Sequence, residues 1–261
     1  MPRIALGLEY DGTDFIGWQI QPTGRSVEGT LATAVSFVAG ARVGVRGSGR
    51  TDTGVHALNQ VAHFDTSVVR TPRQWLLGIN SNLPRDVAVR WVREVPADFD
   101  ARRSALSRRY RYTILQQAAR SALLRHRAWW LRQELDCGAM TAAAVAWVGE
   151  HDFSSFRGAG CQAKSPMRRL TAVAIARRAR GEGTVVTFEF TANAFLLHMV
   201  RNFVGTLVAI GSGELESLDA ARILERRDRR EAGVTAPPEG LVLVEVLYAA
   251  ALALPRYEDE P

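Results

Sequence analysis

The stretch "GSGRTDTGVHA", Gly47–Ala57, decides how the rest of the chain is read. Gly47, Gly49 and Gly54 make it permissive, because glycine takes positive φ cheaply and lets a ligand approach the backbone. Arg50 stands two residues before Asp52, and in an extended segment both side chains project to one side. A guanidinium there favours the ionised carboxylate. Asp52-Thr53-Gly54 is also the triplet with which an aspartic protease presents a catalytic carboxylate. That chemistry needs two carboxylates sharing one proton in a nearly neutral pocket. The chain has a single such triplet, with polar residues before it. A second copy of the chain could supply the other carboxylate, but Arg50 would still oppose the shared proton. Two readings are left for Asp52: an ionised catalytic group, or a turn residue bonded within its own loop.

Outward from this loop, strands and helices are mixed. "LNQVAHFD" directly after it reads as a strand, as does "RIALGLEY" (Arg3–Tyr10), which "DGTD" follows with turn chemistry. "SVEGTLATAVSFVAG" reads as a helix with its N-cap at Ser26 and its stop at Gly40. "TPRQWLLGINSNL" reads as a helix that Pro84 ends, and "DVAVRWVREV" as a strand by its alternating Val and Trp. The second half starts with a strand at "RRYRYTIL" and a helix near "DCGAMTAAAVAWV". Strands in "LTAVAIARRA" and "TVVTFEF" follow, then a long helix from Ala194 and a last strand, "GLVLVEVLY". "RILERRDRRE", Arg222 to Glu231, mixes both charges and reads as an ordinary exposed helix. A domain boundary is expected near Ser104, separating 1–104 from 105–261, although no repeat or low-complexity linker marks it.

The 261 residues suffice for one large domain or two smaller ones with a sizeable core. The composition, 47% hydrophobic and 23% charged, is that of a soluble globular protein. The start has no charged segment leading into a long apolar run, and "GLVLVEVLYAALALP" is interrupted by Glu245 and too short for a membrane helix. Cys137 and Cys161 allow at most one bridge and no Cys-x-x-Cys ligand pair. A cytoplasmic enzyme or binding protein is expected, with no membrane partner.

Charge narrows the partner. The net charge is +6, which suits a polyanion, and of 33 basic residues only Lys164 is lysine. A GC-rich genome also produces arginine bias, so its distribution matters more. Ala101 to Gln133 holds nine arginines and no acidic residue, with Tyr110, Tyr112, Trp129 and Trp130 among them. Guanidinium groups pair with phosphates and aromatic faces stack on bases, which suits RNA. A solvated charged face is the alternative, and the missing acidic counterweight favours nucleic acid.

No phosphate-binding G-x-x-x-x-G-K-[ST], no dinucleotide G-x-G-x-x-G, no H-E-x-x-H and no G-x-S-x-G occurs. The histidines, His56, His63, His126, His151 and His198, show no ligand spacing and read as packing or hydrogen-bonding residues. Neither a nucleotide cofactor nor a metal is expected. The chemistry then falls to side-chain acid, base or nucleophile work, for which Asp52 is the best candidate.

The loop also resembles a known signature. "GRTDTGVHA" is similar to that of the tRNA pseudouridine synthase A family, which usually reads GRTDAGVHA, with Thr53 replacing the commoner alanine. "LEYDGTDFIGWQIQP", "NSNLPRDVAV", "DFDARRSALSRRYRY", "HDFSSFRG", "ANAFLLHMVRNFVGTL" and "APPEGLVLVEV" resemble further family blocks in family order, over nearly the whole chain.

The resemblance implies an α+β fold, the pseudouridine synthase fold, with two α/β domains around a central basic cleft. Each would be an antiparallel sheet with helices, the first carrying the Asp loop and the second Tyr, Arg and tRNA contacts. It implies a cofactor-free homodimer that isomerises uridine to pseudouridine at positions thirty-eight to forty of the tRNA anticodon stem-loop. Asp52 would be the catalytic aspartate, either attacking the anomeric carbon or acting at the neighbouring sugar position through a glycal. Arg50 would favour its ionised form. Tyr110 matches the family tyrosine that stacks on the base, although Tyr112 would share its strand face. Arg201, at the margin of the apolar helix stripe, matches the arginine that pairs with the aspartate. Leu241 matches an apolar residue lining the uracil pocket. Arg108 and Arg109 are expected to bind substrate, among phosphate-contacting arginines from 102 to 132. The alternative is a tRNA-binding or remodelling protein that has lost catalysis.

Overall fold

Strand β1 (Arg3–Tyr10) is buried along almost its whole length because it has a neighbour on either side. The computed structural model describes residues 1–257. After β1 come helix α1 (Val27–Ala39), the short β2 (Arg46–Gly47), β3 (His56–Asp65), α2 (Pro72–Asn82) and β4 (Val87–Val95). The second half contains β5 (Ser107–Gln116), β6 (Trp129–Leu131), α3 (Cys137–Val145), β7 (Gly149–Asp152), β8 (Met167–Arg180) and β9 (Gly183–Ala192). It continues through α4 (Met199–Gly211), α5 (Asp219–Arg226) and β10 (Leu241–Leu247). The class is mixed α and β with mostly antiparallel pairing, as expected for an α+β fold. Among the described residues no helix is long and apolar enough to cross a membrane.

The chain forms two units: Met1–Arg108 with the residues from Val242 onward, and Arg109–Leu241. In unit 1 the strand order is β4-β1-β3-β10, with β2 on β3. β1 runs antiparallel to both neighbours, whereas β10 meets β3 in parallel at Val242–His56 and Leu243–Ala57. Two capped helices accompany this sheet. The Ser26 hydroxyl accepts from the Gly29 N–H to start α1, which buries Val27, Leu31, Ala34, Val35 and Val38 at helical spacing. α2 starts in a reciprocal capping box between Thr71 and Gln74, with Pro72 in its first turn, and buries Trp75 and Ile79 one turn apart. Trp75 meets Phe64 of β3 edge to face at 5.2 Å.

In unit 2 the order is β5-β9-β8-β7, with β6 parallel to β5. Its core centres on Phe203 of α4. Trp147 stacks on that ring at 4.8 Å, and Phe153, Phe156 and Phe190 lie within 5.5 Å of it. Each such aromatic pair contributes about 0.5–1.5 kcal/mol beyond the area it buries.

Two helix expectations need correction. α4 begins at Met199, not Ala194. Asn193 Oδ1 accepts from the Ala194 and Arg169 N–H groups at 2.8 and 2.9 Å, and His198 sits left-handed at φ 60°, so the preceding segment cannot be helical. The expected helix through Glu231 stops at Arg226. Arg227 is left-handed at φ 53°, and Asp228 caps a separate short 3-10 turn, Arg229–Glu231.

Candidate active site

The Asp52 loop leaves the sheet where β2 ends. β2 pairs with β3 at Arg46–His63 and Gly47–Ala62, and the Ser48 N–H adds one more bond to the Val61 carbonyl at 2.8 Å. Past this point the chain turns and re-enters the sheet at His56. The Asp52 carbonyl accepts from the Val55 N–H at 3.1 Å, and Gly54, third residue of that turn, has φ 78°. A type II turn needs positive φ at this position, which explains the glycine of the triplet without a protease. Asp52 is half-buried, Arg50 and Thr53 are exposed, and Thr51 is buried.

The block at Tyr10–Trp18 holds this loop. The Thr51 carbonyl accepts from the Trp18 N–H at 3.0 Å, and the Gly54 N–H donates to Phe15 at 3.3 Å. The Thr53 hydroxyl, at the position where the signature usually has alanine, donates to the Ile16 carbonyl at 3.1 Å. The Tyr10 and Thr51 hydroxyls are bonded at 2.7 Å. Burial raises the Tyr10 phenol well above its usual value, although its bonds to Thr51 and Gln60 oppose this. His56 Nδ1 accepts from the Gly12 N–H at 2.9 Å, with Asp11 Oδ1 3.1 Å from the same nitrogen. Two sequence blocks far apart in the chain thus form one construction in unit 1.

Arg108, expected to bind substrate, directs Nη2 at the Ser48 and Arg102 carbonyls, at 2.9 and 2.7 Å. It therefore braces the start of the loop. In unit 2, Arg109 and Arg111 share Glu189 of β9, at 3.3 and 2.7 Å. Tyr110 and Tyr112 alternate with these arginines, so they share the other face. Tyr112 is fully buried and donates to the Pro237 carbonyl at 2.8 Å. Burial, aided by the nearby Glu239, holds its phenol well above the ordinary value. Tyr110 is half-buried, edge-on to Phe195 at 5.2 Å and 86°. Of these two tyrosines, Tyr110 has ring surface to offer a ligand. Leu241 is buried at the start of β10.

Arg201 is half-buried on α4, where its Nε donates to the Ala236 carbonyl at 2.7 Å and the Ala236 N–H donates back to the Arg201 carbonyl at 3.1 Å. The next residue, Asn202, has no exposed surface. Its Nδ2 donates to the Phe156 carbonyl, and its Oδ1 accepts from Arg229 at 3.0 Å and Thr235 at 2.7 Å. Burial lowers the Arg229 guanidinium below its usual value. The Thr206 hydroxyl receives the Gly233 N–H at 2.9 Å. Residues 233–237 are therefore pinned along α4, with the carbonyls of Ala236 and Pro237 turned to Arg201 and Tyr112. Among the described residues no group of three His, Cys, Asp or Glu is placed to hold a metal ion.

Sequence reasoning missed Tyr10, Gln60, Asn202 and Arg229 as supports of these residues. The one available signal was an amide inside an apolar run, "LNQVAHF" and "RNFVGTLV".

Residues 8–102 and 143–249 match the family model for tRNA pseudouridine synthase. The chain is 50% identical over 256 residues to a protein of Coxiella burnetii (strain Dugway 5J108-111) named tRNA pseudouridine synthase A, covering 98% of this chain and 97% of that one. Proteins of the same name from Alcanivorax borkumensis and Methylococcus capsulatus are each 49% identical, covering 100% and 97% of this chain and 96% and 92% of theirs.

Proposed function

Since the chain belongs to the tRNA pseudouridine synthase family, we propose that it isomerises uridine to pseudouridine in the tRNA anticodon stem-loop, at positions thirty-eight to forty, with Asp52 as the catalytic carboxylate. The observation that carries this reading is the loop itself. Its backbone is fixed by the Asp52–Val55 turn and by the Phe15–Trp18 segment, while the Asp52 side chain keeps accessible surface. A carboxylate held in this way is preorganised to act on a sugar.

The reaction breaks the bond from the anomeric carbon to the base nitrogen, rotates the uracil and joins a ring carbon to the same sugar carbon. Nothing is consumed. Asp52 acts on the sugar, and Arg50, Tyr110 and Arg201 complete the catalytic set. Leu241 borders the uracil. The target uridine leaves its stack to be reached, at a cost of a few kcal/mol that the stem-loop and phosphate contacts offset. Arg109 and the other arginines between 102 and 132 supply those contacts, so affinity falls steeply with salt. The protein works as a homodimer in the cytoplasm.

The test uses purified protein and an unmodified tRNA transcript, read by carbodiimide primer extension, with Asp52→Asn as the isosteric control. Pseudouridine in the anticodon arm from the native protein alone supports the reading. Tight tRNA binding with no product from either protein would replace it with the binding-only reading.

A further inference from the structure

Position 60 of β3 is a glutamine with 0% exposure, followed by the buried apolar residues Val61, Ala62 and Phe64. An amide in such a place destabilises the fold unless its hydrogen bonds are made. They are made here. Oε1 accepts from the Ser48 hydroxyl and from the Val61 N–H, while Nε2 donates to the Gly49 carbonyl at 3.1 Å. The amide also lies beside the Tyr10 hydroxyl, whose pKa it acts to lower.

The choice of partners matters more than their number. Ser48 and Gly49 are the two residues immediately before Arg50. Tyr10 is bonded in turn to Thr51, the residue between Arg50 and Asp52. A single enclosed side chain therefore holds the two residues before Arg50 and lies beside the Tyr10 hydroxyl, which holds the hydroxyl of Thr51, the residue adjoining Asp52. Tyr10, Ser48 and Thr51 are themselves buried. A closed polar network of this kind has one low-energy arrangement, because any shift leaves a buried donor or acceptor unpaired.

We infer that Gln60 is a positioning residue for the reaction: through Ser48, Gly49 and the Tyr10–Thr51 pair, it fixes where Arg50 and Asp52 present their charges. This rests on the reading of Asp52 as the catalytic carboxylate. Gln60 touches no substrate. Its removal acts on the rate of the chemical step, because a small displacement of a reacting group costs rate more than binding.

The experiment measures single-turnover rate and tRNA Kd for Gln60→Met, Ser48→Ala, the double variant and Asp52→Asn, well below each melting temperature. Gln60→Met is expected to slow the step roughly 10–100-fold, with Kd within about twofold of native. Ser48→Ala slows it less, and the double variant is no slower than Gln60→Met alone, since both remove one network. Gln60→Glu adds a readout that a purely structural role would not move. Its protonated carboxyl can both donate and accept, so its rate is highest at low pH and falls as the group ionises, a limb absent from the native profile.

A folded Gln60→Met protein that binds tRNA and turns over at the native rate overturns the inference. If Gln60→Met does not fold, Ser48→Ala decides in its place: a slower step at unchanged Kd supports the inference, and a native rate overturns it. Retained activity in Asp52→Asn would instead remove the catalytic reading. An inert Asp52→Asn beside native rates in the Gln60 and Ser48 variants removes the positioning role alone.

Discussion

Asp52 and Arg201 sit on stretches that are held by different means. Around Asp52, backbone bonds from Trp18, Ser48, Gly54 and Val55 are joined by side chains: the Tyr10, Ser48, Thr51 and Thr53 hydroxyls and the Gln60 amide tie further points of a short loop. Around Arg201 the helix is buried from Asn202 to Val208, and the backbone of the next segment lies directly on it. The difference is one of tolerance. A loop fixed by separate hydrogen bonds can lose one and keep its fold, so damage there is graded and falls first on geometry. A helix in backbone contact has no such slack, and damage falls on folding itself.

The largest expected effect would break this comparison most directly. A Cβ added at Gly205 would overlap the Val234 carbonyl oxygen, a backbone atom rather than the end of a flexible side chain. Gly205→Ala should lower Tm by more than about 10 °C or prevent folding, read by circular dichroism; an unchanged melt would show that the helix contact has slack after all.

Next is Asn202→Ala, which removes the acceptor shared by Thr235 and the part-buried Arg229, leaves Arg229 only the Thr235 hydroxyl and the Ala232 carbonyl, and strips the Phe156 carbonyl of its amide donor. It should destabilise by about 2–3 kcal/mol in denaturant titration. A cost as small as that of a typical exposed site would place Arg229 in water rather than in the network.

A third, smaller effect probes unit 1 by pH. His63 Nδ1 accepts from the Ala101 N–H at 3.1 Å, and burial holds the imidazole below its ordinary pKa. The unfolded chain therefore binds the proton more readily than the folded one. This contribution is complete above about pH 6.5, the unfolded value, and is lost as pH falls toward the folded value. The denaturant midpoint should decrease from pH 7 toward about pH 5, and His63→Asn should flatten that slope.

The smallest effect sharpens the picture of the segment leading into α4. Burial opposes ionisation of Cys161, but hydrogen bonds from the Leu197 and Ala163 backbone and from Arg157 bring its thiol below the usual value. Burial holds the Cys137 thiol above it. Iodoacetamide near pH 8 should therefore alkylate Cys161 first, and equal rates would mean that the Leu197 bond is not kept in solution.

Much of the fold was legible where local chemistry is strong. Ser26 and Gly40 mark the limits of α1, Pro72 and the capping box start α2, and alternation identifies the longer strands. The strands β2, β6 and β7 have two to four residues, too few for a period to show. The apolar run "AFLLHMV" has helical spacing, so nothing local announces that Asn193 and His198 delay α4. Asp52 stood out as a candidate because it follows an arginine closely in a glycine-rich loop, although a turn residue was the other reading. Arg229 was not: inside "RILERRDRRE" it looks like any solvated charge, and its partner Asn202 is 27 residues away. Gln60 offered only the weak signal of an amide inside an apolar run, since a polar side chain in a strand ordinarily faces water.

Unit 1 is assembled from both ends of the chain, with unit 2 as one continuous stretch between. On the ribosome, which delivers the N-terminus first, this reverses the usual order of completion. Unit 2 has all its residues once Leu241 has emerged, while β3 still lacks its neighbour β10 and the Asp52 loop rests on an unfinished sheet. Nascent chains arrested before Val242 should accordingly yield a protease-resistant unit 2 attached to a cleavable unit 1. The Asp52 loop would be the last part of the molecule to become rigid.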